Sequence, residues 1–324
     1  MNKPRYPIDP EFLPFVLALP EFEFDDVAAA RAQLAQMSAM FLGASDEDGV
    51  ELEDRSIPGP PRAPEVGIRI YRPVAESANR SLPGLLYIHG GGFVLGDLDS
   101  EHAGACELCR DLGIVLVSVD YRLAPEHRYP SGLEDCYAAL EWTFAHADEL
   151  GLDPHRIGVM GQSAGGGLSA AIALLARDRK GPSLCFQYLG IPELDDRLET
   201  PSMRAFVDTP LWNRPNAIFS WDAYLGEGYR RGSPDVPAYA APARAADLSG
   251  LPPAYVTTME FDPLRDEGIE YALRLLQAGV RTELHSYPGT FHGSSLVTAA
   301  PVSQRERNDM KAAIRDGLGI SKET

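Results

Sequence analysis

From residue 67 onward, short β-branched apolar runs alternate with stretches whose apolar positions recur every three or four residues. Residues 67–72 (GIRIYR), 85–89 (LLYIH) and 114–120 (IVLVSVD) predict strands, as do 157–160, 184–189, 254–259 and 282–287. Helical spacing runs through 100–112, 133–150, 164–177, 266–278 and about 304–318, with Gly151 and Gly279 placed to stop two of these helices. A strand that is apolar throughout is buried on both faces. The alternation therefore predicts an α/β architecture, a mostly parallel central sheet with helices on both faces.

Two stretches break the alternation. Residues 1–55 read as helical and amphipathic, most clearly over 27–41. Residues 191–250 contain no good strand and hold Trp212 and Trp221, too long an interruption to be structureless. Both are expected to form a helical cap over the carboxyl edge of the sheet, where open α/β folds bind ligands. The expected organisation is a cap segment at 1–55, a first core part at 56–190, an inserted cap segment at 191–240 and a second core part at 241–324.

The 324 residues carry 29 Lys and Arg against 47 Asp and Glu, a formal charge of −18. That balance argues against nucleic acid or an anionic membrane as partner. With no signal-peptide pattern and no long apolar run, a cytoplasmic location is expected. Cys106 and Cys109 form a C-x-x-C, but it lies within a helical pattern with no second ligand pair at finger spacing. Buried, small, apolar side chains on one helix face are the expectation there, and no metal.

The chemistry centres on Gly161-Gln162-Ser163-Ala164-Gly165, a G-x-S-x-G directly after a strand and before a helix. The chain must reverse sharply at Ser163, which requires small neighbours, and the helix after it aims free N–H groups at the reacting carbonyl. His89-Gly90-Gly91-Gly92 follows another buried strand. Gly91 and Gly92, with Ala164, are the candidate donors for an oxyanion hole. No GK[ST] or G-x-G-x-x-G accompanies these glycines, which disfavours phosphate or dinucleotide binding. Partners for Ser163 are sought in the order acid, then histidine. Glu260, Asp262 and Asp266 follow one late strand, and His292 follows the last, whereas His285 lies within that strand.

With these motifs the chain resembles the hormone-sensitive-lipase family of α/β-hydrolases, the bacterial carboxylesterases, from about residue 67 to the C-terminus. The resemblance rests on HGGGFVLGD from His89, DYRLAPEHRYP from Asp120, GQSAGGGL from Gly161, DPLRDEG from Asp262 and the FHG around His292. IPELDDRLET, VDTPLW and GIEYALRLLQAGV resemble an acetyl-ester-hydrolysing branch. The resemblance implies an α/β-hydrolase fold with a helical cap. It implies Ser163 as nucleophile, His292 as general acid and base, Asp262 as the orienting acid, and Gly91, Gly92 and Ala164 as the oxyanion hole. The implied activity is cofactor-free hydrolysis of short-acyl esters, with a homodimer possible through the last strand. Gln162 stands where most of the family has Asp, Gly167 where Asn is common, and Ser294 where an aromatic usually follows His-Gly. Plant gibberellin receptors resemble the same family without hydrolysing their ligand, having lost the histidine that His292 supplies here. Arg122 and Glu126 are expected to support the glycine loop, as is His89, and most of Phe206, Trp212, Phe219, Trp221 and Tyr224 to pack as cap core.

Overall fold

The computed structural model describes residues 5–19, 26–41, 46–75 and 81–321. Parts of the expected N-terminal cap lie outside these residues. In chain order the elements are Leu13–Ala18 (α1), Val27–Phe41 (α2), Val50–Ile57 (β1), Val66–Pro73 (β2), Leu82–Ile88 (β3), His102–Leu112 (α3) and Val115–Asp120 (β4). Ser131–Ala145 (α4), Ala147–Leu150 (α5), Leu152–Gln162 (β5), Ala164–Asp178 (α6) and Gln187–Gly190 (β6) follow. Two cap helices, Pro201–Ala205 (α7) and Arg214–Leu225 (α8), fill the gap before Ala254–Phe261 (β7), Arg265–Gln277 (α9), Thr282–Phe291 (β8) and Pro301–Gly317 (α10).

The strands form one sheet in the order β1-β2-β4-β3-β5-β6-β7-β8. β2 runs antiparallel to both neighbours and every other pairing is parallel. After β3 the chain moves to one side to make β4, then returns across β3 to make β5. The connections thus diverge between β3 and β5, and the crevice at their carboxyl ends is where such sheets bind ligands. Both the HGGG loop and the G-x-S-x-G turn leave the sheet at that point.

Strict alternation of side chains explains why the central strands are apolar throughout. Leu86, Ile88, Val117, Val119, Ile157 and Val159 pack with residues of α4 and α6, while Leu85, Leu116 and Met160 pack with α3 and α10 on the other face. All are at most 1% exposed, and each contributes about 1.5–3 kcal/mol by leaving water. Cys106 and Cys109 belong to this second layer, both fully buried, and burial pushes the Cys109 thiol up to about 12.

The expectation that residues up to 55 are helical is corrected at β1. Only Val50 and Ile57 of that strand are buried. Its remaining positions are secured by charge across the edge, with Arg72 2.8 Å from Glu53 and Arg69 2.7 Å from Asp54. A strand held this way carries almost no apolar signal. The expected helix over 133–150 is two helices with a break at His146, and β8 continues past Tyr287 to Phe291, delivering His292 directly from the strand end.

Candidate active site

Ser163 sits between β5 and α6 with φ +55° and ψ −121°, a conformation a side chain adopts only when its surroundings enforce it. The enforcement is visible. Its N–H donates to the Gly190 carbonyl at 2.8 Å, and its own carbonyl accepts from the N–H groups of Gly167 (2.9 Å) and Glu193 (3.0 Å). A β-carbon at Gly165 would lie 2.1 Å from the Ile88 carbonyl oxygen, and one at Gly161 would lie 2.3 Å from that of Gly165. The glycines of the motif are therefore demanded by close backbone approach.

His292 Nε2 lies 3.0 Å from Ser163 Oγ, and His292 Nδ1 lies 2.7 Å from Asp262 Oδ2. Asp262 is fully buried, and its other oxygen accepts from the Leu264 N–H at 2.9 Å. The three groups come from the ends of β5, β7 and β8. The other candidate acids are engaged elsewhere: Glu260 accepts from the Gly289 N–H, and Asp266 accepts from the Ser202 N–H. His285 remains in β8, beside Glu283 and Asp309.

The glycine loop lies against the same turn, since a β-carbon at Gly90 would be 3.0 Å from the Gln162 carbonyl oxygen and 3.6 Å from Ser163 Cβ. Gly91 (φ +117°) and Gly92 (φ +57°) occupy backbone regions that favour glycine. The Gly91 carbonyl closes the turn by accepting from the Val94 and Leu95 N–H groups. Ala164 begins α6, so its N–H has no acceptor within the helix. Beneath the loop, His89 donates from Nδ1 to the Gly90 carbonyl at 2.7 Å and stacks on Tyr121 at 4.2 Å between centroids. Tyr121 in turn donates to the His89 carbonyl at 3.0 Å. Burial outweighs the attraction of Asp97 and lowers the His89 pKa to about 4, so the ring is neutral near pH 7. Arg122 grips the buried Asp135 with two guanidinium bonds of 2.7 Å.

The cap reaches this loop from two sides. Arg31 of α2 donates to the carbonyls of Val94 (2.9 Å) and Ala124 (3.1 Å) and pairs with Glu126, whose carboxyl it holds down at about 2. From the other side, Ser220 of α8 contacts the Gly92 carbonyl at 2.9 Å. The Trp212 ring lies 5.7 Å from that of His292 and would be struck by a β-carbon on Gly92. Phe206, Trp221 and Tyr224 are buried in the cap. Sequence reading grouped Trp212 with these aromatics, and nothing in its spacing sets it apart as a wall of the site. Arg31 and Ser220 carry no motif, and Glu193 lies within IPELDDRLET with nothing in that stretch to assign it a role.

Gln162 borders a neighbouring cavity between α3 and α10 that Glu101 and Glu306 also line. An aspartate at 162 would add a fourth carboxyl to a compartment that Glu107 lines as well. Glu306 is 4% exposed, and burial raises its pKa to about 8 from an ordinary 4.5. A carboxyl with a raised folded-state pKa stabilises fully below its unfolded value, and that contribution is lost as pH climbs through about 8. Between pH 5 and 9, Glu306→Gln is expected to gain on the order of 4 kcal/mol relative to the wild type. Urea unfolding at both pH values checks this.

A family model described as alpha/beta hydrolase fold matches residues 85–296. A carboxylesterase of Mycobacterium tuberculosis, NlhH, is 42% identical over 271 residues, covering 83% of this chain and 82% of that protein. The esterase LipI of the same species is 40% identical over 291 residues, covering 88% and 87%. Among solved structures, a bacterial heroin esterase superposes with a TM-score of 0.94 at 55% identity, covering 96% of this chain and 98% of that one. The chain belongs to the α/β-hydrolases, in the hormone-sensitive-lipase family of bacterial carboxylesterases, and is an enzyme of the carboxylic-ester-hydrolase class.

Proposed function

We propose that the protein hydrolyses short-acyl, acetyl-like carboxylic esters through a Ser163-His292-Asp262 triad and an acyl-enzyme intermediate. The observation that carries this reading is the relay of 3.0 Å and 2.7 Å contacts ending on a strained serine beside an open glycine loop. In the first half-reaction His292 Nε2 takes the Ser163 proton as Oγ attacks the ester carbonyl. The oxyanion is received by the N–H groups of Gly91, Gly92 and Ala164. His292 then protonates the departing alkoxide, leaving the acyl group on Ser163. A water molecule, deprotonated by the same imidazole, attacks the acyl carbonyl, releases the carboxylic acid and returns the proton to Ser163. Asp262 fixes the Nδ1–H tautomer and stabilises the imidazolium formed in each half.

The low ceiling supports the short-acyl preference. Ser163 and His292 are 7% and 8% exposed, and Trp212 lies directly over the glycine loop and the histidine. The same reading divides the chain into an α/β core and a roof built from the N-terminal helices and the 191–240 insertion. It also holds that two copies pair through β8, the last strand at its side of the sheet. A series of p-nitrophenyl esters from acetyl to palmitoyl tests the substrate class. The expected profile peaks on the shortest chains, and a maximum on long chains would overturn it.

A further inference from the structure

Ser220 stands between two oxygen atoms. Its Oγ is 2.9 Å from the Gly92 carbonyl and 3.0 Å from Glu193 Oε1. A hydroxyl has one hydrogen, and a carbonyl only accepts. If Ser220 donates to Gly92, the contact with Glu193 must be made by a hydrogen on the carboxyl itself.

The surroundings of Glu193 favour that arrangement. The side chain is fully buried just after β6, and its second oxygen has no partner among the described residues. A carboxylate stranded so is far more costly than a neutral acid with an idle carbonyl. The titratable groups that face it are Asp262 after β7, Glu267 on α9, Tyr121 after β4 and Tyr224 on α8. None is a cation. Burial, with Asp262 adding repulsion, raises the Glu193 pKa to about 8, so the acid form prevails at neutral pH.

We propose that Glu193, as a neutral acid, is a positioning residue that donates to Ser220, so that Ser220 donates to the Gly92 carbonyl and the cap helix holds the oxyanion loop in its donating orientation. The proposal rests on the oxyanion-hole reading above. Gly92 sits at φ +57°, and fixing the peptide plane on its carbonyl side limits rotation of the N–H on its other side. When Glu193 loses its proton, the carboxylate captures the Ser220 hydrogen and the Gly92 carbonyl loses its donor. The Glu193 N–H meanwhile bonds the Ser163 carbonyl at 3.0 Å, so one residue braces both the elbow and, through the cap, the loop facing it.

The test is the pH profile of kcat on p-nitrophenyl acetate for the wild type, Glu193→Gln, Glu193→Ala and Ser220→Ala, with Ser163→Ala alongside. The wild type is expected to lose kcat above about pH 8 with KM little changed. Glu193→Ala frees the Ser220 hydroxyl to turn back on its own helix, and a fall of several-fold at neutral pH is expected. Glu193→Gln, whose amide donates at every pH, is expected to restore kcat and to abolish the alkaline fall. Ser220→Ala should lower kcat roughly 10-fold, less than the 10²–10³-fold of losing an oxyanion donor outright. An alkaline fall that persists unchanged in Glu193→Gln, or an unaltered kcat in Ser220→Ala, overturns the proposal. Infrared difference spectra of the intact wild type between pH 7 and 10 provide a route that needs no variant activity. Glu306 contributes a protonated-carboxyl band over the same range, so the difference between wild type and folded Glu193→Gln is read. A component that disappears on raising the pH and is missing from Glu193→Gln supports the proposal, and identical spectra for the two refute it. Activity surviving in Ser163→Ala would instead indict the triad reading.

Discussion

Ser163→Ala is expected to lower kcat on short p-nitrophenyl esters by at least about 10³-fold, leaving the fold intact. The size follows from what the hydroxyl does in the proposed cycle, where it supplies the bond that turns one difficult displacement into two easier ones. Removing Oγ leaves the glycine loop and the roof in place, so ester still binds and its carbonyl is still polarised. Some rate above that of water alone therefore remains. The substitution also takes one heavy atom from a residue that is 7% exposed, and the turn is held by backbone bonds to Gly190, Gly167 and Glu193 that alanine retains. Thermal unfolding should accordingly match the wild type. Turnover that survives in the variant would sink the nucleophile assignment, as would an organophosphate that labels the wild type elsewhere.

Asp262→Asn is expected to cost on the order of 10⁴-fold in kcat, although it changes no volume. The reason lies in the Leu264 N–H, which bonds Asp262 Oδ1 at 2.9 Å. An asparagine must keep its carbonyl oxygen there to accept that hydrogen, so its NH₂ falls where Oδ2 was and faces His292 Nδ1. Nδ1 then has to accept, the ring proton moves to Nε2, and the imidazole presents a hydrogen to Ser163 in place of a lone pair. The base is lost through tautomer and not through distance. Binding of a non-hydrolysable ester analogue should change little, which separates this outcome from collapse of the pocket. A kcat within 10-fold of the wild type would contradict the role given to Asp262.

Much of this was legible in the chain because the chemistry concentrates where local rules are strict. The strands at the middle of the sheet announce themselves by continuous apolar runs, since β3, β4 and β5 are covered on both faces. Gly161 and Gly165 announce the elbow because no β-carbon fits there. The edge was less visible: β1 is held by Glu53 and Asp54 reaching to arginines on β2, and such a strand lacks the period that betrays its neighbours. The choice among Glu260, Asp262 and Asp266 could not be made from spacing, because all three fall within seven residues, at the end of β7, after it and at the start of α9, and their partners in space are what distinguish them. Trp212, Ser220 and Glu193 were hidden for a related reason. Trp212 and Ser220 meet the loop, and Glu193 meets Ser220 and the elbow, across stretches of sequence that share no period; a lone Ser on a helix looks like any solvated residue, and nothing within IPELDDRLET marks its glutamate.

Arg31 gives the N-terminal helix a hold on the carbonyls of Val94 and Ala124 and on the carboxyl of Glu126. Roof and floor of the pocket are thus not interchangeable parts. A hybrid that borrows the first fifty residues from one relative and the sheet from another inherits an open guanidinium or an open carboxylate unless both come from the same parent, and the flaw would surface in the loop that meets the substrate. Grafting to alter specificity should treat position 31 and position 126 as a single module, transferred together or left alone.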